Sequence, residues 1–244
     1  MNTELFLKYA PGLLEGLLVT IELVAISVVI GMLLALPIAA ARLSKNPVLR
    51  AVSFAYVYFF RGTPLLAQLF LIYYGAGQFV DPLKSIGLWW FFRDAFNCAV
   101  LAFALNTAAY EAEIFRGAIR SVPRGQWEAG AALGLHRIPL WWKVVLPQAA
   151  TVALRPVGND IILLIKGSAV ASIVTVLDLM GETRLAFSRT YDLKFYFYAA
   201  VLYLILVETI RRLWNAMEWR LTRHLRREVQ VAKAPAADLA AATR

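Results

Sequence analysis

The sequence predicts an all-α membrane protein with about five transmembrane helices, its N-terminus outside and its C-terminus cytoplasmic. Three observations carry this. Of the 244 residues 60% are hydrophobic and only 17% charged, against roughly 45–50% and about 25% in a soluble domain. Five apolar stretches approach the roughly 20 residues that a helix needs to cross the hydrocarbon core. The basic residues are distributed asymmetrically between alternate connections.

The first stretch is 13–41, interrupted only by Glu15 and Glu22. It exceeds the apolar core of a cleavable signal and has no basic leader, so a retained span is expected. The second lies within 51–80, where Arg61 and Pro64 interrupt it. A lipid-facing arginine is costly. The reading preferred here is that 51–62 lies along the inner interface and the span begins near Thr63; the other is that Arg61 sits inside the bundle. The remaining stretches are 95–116, 152–177 and 196–217. With no water to satisfy the backbone these are helices, since barrel strands would be shorter and would alternate apolar with polar residues.

Orientation follows from charge. Seventeen of the 25 Lys and Arg residues fall after the first span, between the third and fourth, or at the C-terminal end; six fall on the other side, and Arg61 and Lys166 lie within spans. The net charge of +9 is thereby explained without nucleic acid. Trp89, Trp90, Phe91 and Phe92 suit an outer aromatic belt. Residues 216–228 suit either a basic juxtamembrane helix on anionic lipid or a plain solvated helix. Residues 1–230 are read as one transmembrane domain, with a cytoplasmic loop at about 121–147, and 231–244 as a disordered cytoplasmic tail. No internal repeat is visible. A single cysteine, Cys98, excludes a disulfide framework, and two distant histidines, His136 and His224, argue against a histidine metal or catalytic cluster.

The loop between the third and fourth spans is the most informative stretch. Pro123 suits a first helical turn, 126–133 continues helically, and Gly134 suits a C-terminal stop. Residues 138–145 form a second short helix, ended by Pro147. Two short helices with a glycine corner can dock in a groove of another protein.

Glu128-Ala129-Gly130, then three residues, Gly134, nine residues, and 144–147 (VVLP) resemble the EAA loop of ATP-binding cassette (ABC) importer permeases. That pattern is EAA, three residues, Gly, nine residues, I-x-L-P. The spacing matches throughout; Gly130 replaces the last Ala and Val144 the Ile. FRGTPLLAQ (60–68), AEIFRG (112–117), SVPRGQWEA (121–129) and LPQA (146–149) are similar to segments of the polar amino-acid permease family. The resemblance runs from about residue 12 to 212 and implies the type I ABC importer permease fold. It implies partners: an ATPase dimer met by the EAA loop, a second permease subunit, identical or homologous, and an extracytoplasmic amino-acid-binding protein, in a bacterial inner membrane. It implies that Glu128, Ala129, Gly130 and Gly134, with Arg124, Leu146 and Pro147, couple the chain to the ATPase. No GxxxxGK[ST] loop is present, so no cofactor is expected in this chain; ATP and Mg belong to the partner.

For the substrate, ionisable groups within spans are the first candidates. Residues 155–168 read RPVGNDIILLIKGS, and Pro156, Gly158 and Gly167 permit a loosened helix. Arg155, Asn159 and Lys166 share a helix face, and Asp160 lies one residue step round. Asp160 could pair with the extra positive group of a cationic amino acid (arginine, lysine, ornithine, histidine) or a related opine; alternatively it pairs with Lys166 or Arg155 and only holds the bundle. Gln68 and Thr63 are further candidates, each open to a simple helix–helix role. Glu113 is expected to pair with Arg116 at i,i+3, with Glu111 beside it near the inner interface. Glu22 and Glu208 are expected to pair with a neighbouring helix or subunit. A glutamine or glutamate permease, a secondary transporter or channel, and an intramembrane enzyme are the alternatives; HExxH and GxSxG are absent.

Overall fold

In the computed structural model the backbone of residues 3–233 and the side chains of residues 7–222 are described, and the described residues contain helices and no strand. Helix α1 (Thr3–Leu43) runs through Pro11 and Pro37 without interruption. Its buried face is Leu13, Gly16, Thr20, Leu23, Ser27, Gly31, Ala35 and Ala39, each three or four residues on. From Leu23 onward this seam of mostly small side chains lies against α6 (Ala95–Ser121), itself lined with Ala99, Ala102, Ala104, Ala108, Ala109 and Ala112, while Leu13, Gly16 and Thr20 face the region of Asp178 and Leu179. A Cβ at Gly31 would lie 2.8 Å from the Thr107 side chain, so only glycine permits this approach. Close packing of small residues is what holds helices together where lipid offers no hydrophobic drive.

Helix α2 (Pro47–Gly62) is capped by Asn46, whose Oδ1 accepts from the Val48 and Leu49 N–H groups. The chain then turns by 104° into α3 (Leu65–Ala76) and α4 (Val80–Ser85). The break falls at Thr63 and Pro64, the point expected from sequence. The aromatic run forms α5 (Trp89–Phe92), and Asp94 caps α6 through the Phe96 and Asn97 N–H groups.

Helices α7 (Arg124–Ala132) and α8 (Arg137–Leu140) follow. A π-helical turn, Trp141–Val145, leads straight into α9 (Leu146–Gly167), and a 3₁₀ stretch, Ser168–Val174, ends at Thr175 with φ +68°. Pro147 was expected to stop the second short helix, and it does not. Proline forbids a bond to the carbonyl four residues back, and the widened π turn accommodates it at the first turn of α9. The helix of the fourth span therefore begins near Arg137 and not at 152. It loosens at Gly167, whereas Pro156 and Gly158 stay inside regular helix.

Helices α10 (Leu179–Thr190) and α11 (Lys194–Lys233) complete the chain. Among the described residues three helical stretches are long and apolar enough to cross a membrane, Leu7–Leu43, Ala95–Ser121 and Arg137–Val174; the bent pair Pro47–Gly62 and Leu65–Ser85 would make a fourth. The expected fifth, 196–217, forms helix α11, but only residues 195–207 are free of charge. Glu208 then pairs with both Arg211 and Arg212 on its own helix, Nη2 of Arg211 at 2.5 Å and Nε of Arg212 at 2.7 Å from it, and forms no ion pair to another helix among the described residues. Residues 231–233, expected to be disordered, continue α11; the rest of that expected tail, 234–244, lies outside the described residues.

Candidate functional site: a coupling loop and a charged centre

The loop is built from its stops. Helix α7 ends at Leu133, and Gly134 takes φ +73°. The Gly134 N–H then bonds to Ala131 O (3.0 Å) and the Leu135 N–H to Gly130 O (3.1 Å), the reciprocal pair of a Schellman stop. Gly130 is buried beneath Leu140: a Cβ there would stand 2.2 Å from Leu140 Cδ1. This explains why glycine replaces alanine in the EAA pattern. Trp127 packs on Trp141 with ring centroids 6.1 Å apart, holding α7 against the π turn. What remains outward is Arg124, Glu128 and Ala129, with Leu133 (81% exposed), Ile138 and Trp142 forming an apolar corner. Leu146 is half-buried and Pro147 exposed. Such a corner on a rigid two-helix element has the shape of a knob for a groove.

The polar centre divides the residues that sequence grouped together. Asn159 is exposed and lines an open groove of about 480 Å³ with Arg155, Gly158, Arg211, Trp214 and Glu218. Arg155 pairs there with Glu218 at 2.7 Å, and Trp214 Nε1 donates to Leu154 O at 2.9 Å; a Cβ at Gly158 would fill the indole's place. Asp160 does not line that groove. It is half-buried and turned toward Arg61 and toward Glu111 on α6, with both of which it interacts electrostatically. Neither Arg155 nor Lys166, which is exposed in the last turn of α9, forms an ion pair with Asp160 among the described residues. The expected single site of Asn159, Asp160 and Lys166 is therefore split over different faces of α9.

Gln68 and Thr63 hold the helix break. Gln68 Nε2 lies 2.8–3.1 Å from Thr63 Oγ1, Thr63 O and Phe60 O, and its Oε1 accepts from Asn106 Nδ2 at 2.9 Å. The break exposes Arg61, whose guanidinium stands 5.1 Å from the Tyr110 ring centroid. Arg61 also lines an open cleft of about 470 Å³ with Thr63, Arg42 and Glu113. Glu113 pairs with Arg116 as expected and with Arg42 of α1 at 2.8 Å. Glu111, expected beside it near an interface, is instead fully buried. Its charged side chain in an Ala-rich span was the available signal; the contact with Asp160, 49 positions away, was not available locally.

A helical membrane chain with a rigid loop and a charged centre on broken helices has the architecture of a transporter permease. Residues 27–217 match the family model described as binding-protein-dependent transport system inner membrane component, and the chain belongs to that family. The nopaline transport system permease protein NocM of Agrobacterium fabrum is 40% identical over 230 residues, covering 94% of this chain and 95% of that protein. The arginine ABC transporter permease protein ArtM of Haemophilus influenzae is 38% identical, covering 93% and 100%. A solved amino acid ABC transporter with histidines superposes with a TM-score of 0.77 at 34% identity, covering 88% and 96%. The MetNI methionine transporter shares the fold with a TM-score of 0.71 at 22% identity, covering 86% and 96%. The chain is an amino-acid ABC permease subunit, a multi-pass membrane component of a transporter and not an enzyme.

Proposed function

We propose that this chain is the permease of an ATP-driven importer for cationic amino acids, or for related opines, in a bacterial inner membrane, with its N-terminus outside and its C-terminus cytoplasmic. The observation that carries the substrate class is Asp160, a half-buried carboxylate in a membrane helix that no basic side chain among the described residues pairs with directly. A carboxylate at such a place is a ready partner for a cation. Relatives named for arginine, octopine and nopaline transport, whose substrates all carry a guanidinium, agree with this.

Translocation proceeds by alternating access. The corner of Arg124, Glu128, Leu133, Ile138 and Trp142 seats in a partner ATPase dimer, where ATP and Mg are bound. Gly130, Gly134, Leu146 and Pro147 keep that corner rigid against α9. A second permease subunit completes the pathway, and an extracytoplasmic binding protein delivers the amino acid. Asp160 receives the side-chain cation; Asn159, on the other face, serves the α9–α11 groove.

Proteoliposomes holding the whole complex, its binding protein and internal ATP test the reading with labelled arginine, lysine, histidine, glutamine and glutamate. Selective uptake of the basic amino acids, lost in Asp160→Asn while the ATPase remains bound, is expected. Preference for glutamine or glutamate, or undiminished uptake by Asp160→Asn, would overturn the substrate class.

A further inference from the structure

The buried side-chain nitrogen and oxygen atoms left without a hydrogen-bond partner among the described residues are Thr107 Oγ1 and both carboxylate oxygens of Glu111. The two residues are four apart, on one face of α6. Buried polar atoms are almost always satisfied, and each exception calls for an explanation. Glu111 is fully enclosed, and the charge that acts on it is another acid, Asp160, across the α6–α9 contact. Asp160 in turn feels Arg61, which stands exposed at the edge of the cleft beside the α2–α3 break. Two acids and one arginine thus converge, with the half-buried acid nearer the opening and the enclosed acid behind it.

This arrangement is the charge complement of a particular ligand. A cationic amino acid carries one carboxylate and two positive groups. One arginine matches the carboxylate, and two acids match the α-ammonium and the side-chain cation. A neutral amino acid would leave one carboxylate buried and unpaired, which is strongly disfavoured.

We propose that Glu111 is the second acid of the substrate site, taking one of the two cationic groups while Asp160 takes the other and Arg61 holds a carboxylate, so that the site selects doubly cationic substrates over their neutral isosteres. This rests on the cationic-substrate reading above and adds to it a residue and a charge count. Thr107, a turn away, offers a hydroxyl toward the same enclosed end.

The test is equilibrium binding of labelled arginine, and of citrulline, its neutral isostere, to the purified permease–ATPase complex without binding protein. The wild-type complex is expected to prefer arginine. In Glu111→Gln arginine affinity should fall about tenfold or more and the arginine-to-citrulline ratio should collapse, while the complex melts at the same temperature or higher, because a buried acid without partners does nothing for the fold. Glu111→Asp, which keeps the charge on a shorter stem, should retain part of the preference. A ratio within about twofold of wild type in Glu111→Gln, with Asp160→Asn still abolishing it, overturns the role of Glu111 alone. A wild-type complex that does not distinguish the two ligands overturns both readings. Failure of both Glu111 variants to assemble, or a lowered melting temperature with loss of both ligands, makes Glu111 a structural residue and overturns the proposal.

Discussion

Asp178 stands at the start of α10 with both carboxylate oxygens engaged. Gly181 donates its N–H to Oδ1 at 2.9 Å and Tyr203 its hydroxyl to Oδ2 at 3.3 Å. Beside it the Leu179 N–H donates to Thr20 Oγ1 of α1, and Gly16 leaves room for the Asp178 carbonyl, 2.8 Å from where a Cβ would be. Glu111 is as deeply buried in α6 and accepts no hydrogen bond among the described residues. One acid is a helix cap that ties α1, α10 and α11 together; the other has no such tie, and on that rests the role proposed for it. Burial of an acid therefore says little by itself. The company its oxygens keep separates an acid that holds a fold from one that waits for a ligand.

The contrast can be broken by substitution. The largest loss of stability is expected for Asp178→Ala, which removes the cap, strips the Gly181 N–H of its carboxylate acceptor and takes one of its partners from the Tyr203 hydroxyl. A cost of about 2–4 kcal/mol should appear in thermal unfolding of the complex. A loss as small from Asp178→Ala as from Glu111→Gln would erase the distinction. Gln68→Leu should cost less, about 1–3 kcal/mol, by leaving Asn106 with only the Phe60 carbonyl and loosening the bend at Thr63; hydrogen exchange in 59–68 would report it first. The smallest effect belongs to Arg155→Ala. That side chain is 75% exposed although it pairs with Glu218 at 2.7 Å, so under about 1 kcal/mol is expected. A larger change there would mean that a partner subunit covers the groove.

The parts of the molecule readable in sequence are those that obey local rules. The long apolar runs of α1 and α6, the capped start of α2 after Asn46, and the glycine stop at Gly134 each depend on neighbours within a few positions. Helix α10 lies between two of the expected spans, and its sequence, LMGETRLAFSRT, is too polar to announce itself. It is helical because Asp178 caps it and because Leu179 and Ala186 pack in one cluster with Leu13 of α1 and Phe195 of α11. Pro147 misled for a similar reason: as a residue it is a helix breaker, and a π turn upstream removes the conflict. In the site, Asp160 was visible as an acid within a span, and Glu113–Arg116 as a helical pair. Arg61, Asp160 and Glu111 come from helices 50 and 49 positions apart in sequence, and no local pattern announces such a meeting.

The stretch Arg137–Val174 is a single helical run across the π turn, and this has a mechanical meaning. Asp160 lies 23 residues beyond Arg137, about 35 Å at 1.5 Å per residue. With Gly134 as the pivot at one end, the run acts as a lever: a tilt of about 10° at the loop would sweep the Asp160 carboxylate through about 6 Å. That travel is longer than a hydrogen bond and shorter than an amino acid, enough to part an acid from the arginine facing it. Small strokes at the ATPase would thus be geared up at the charged centre, with no slack between the handle and the tip.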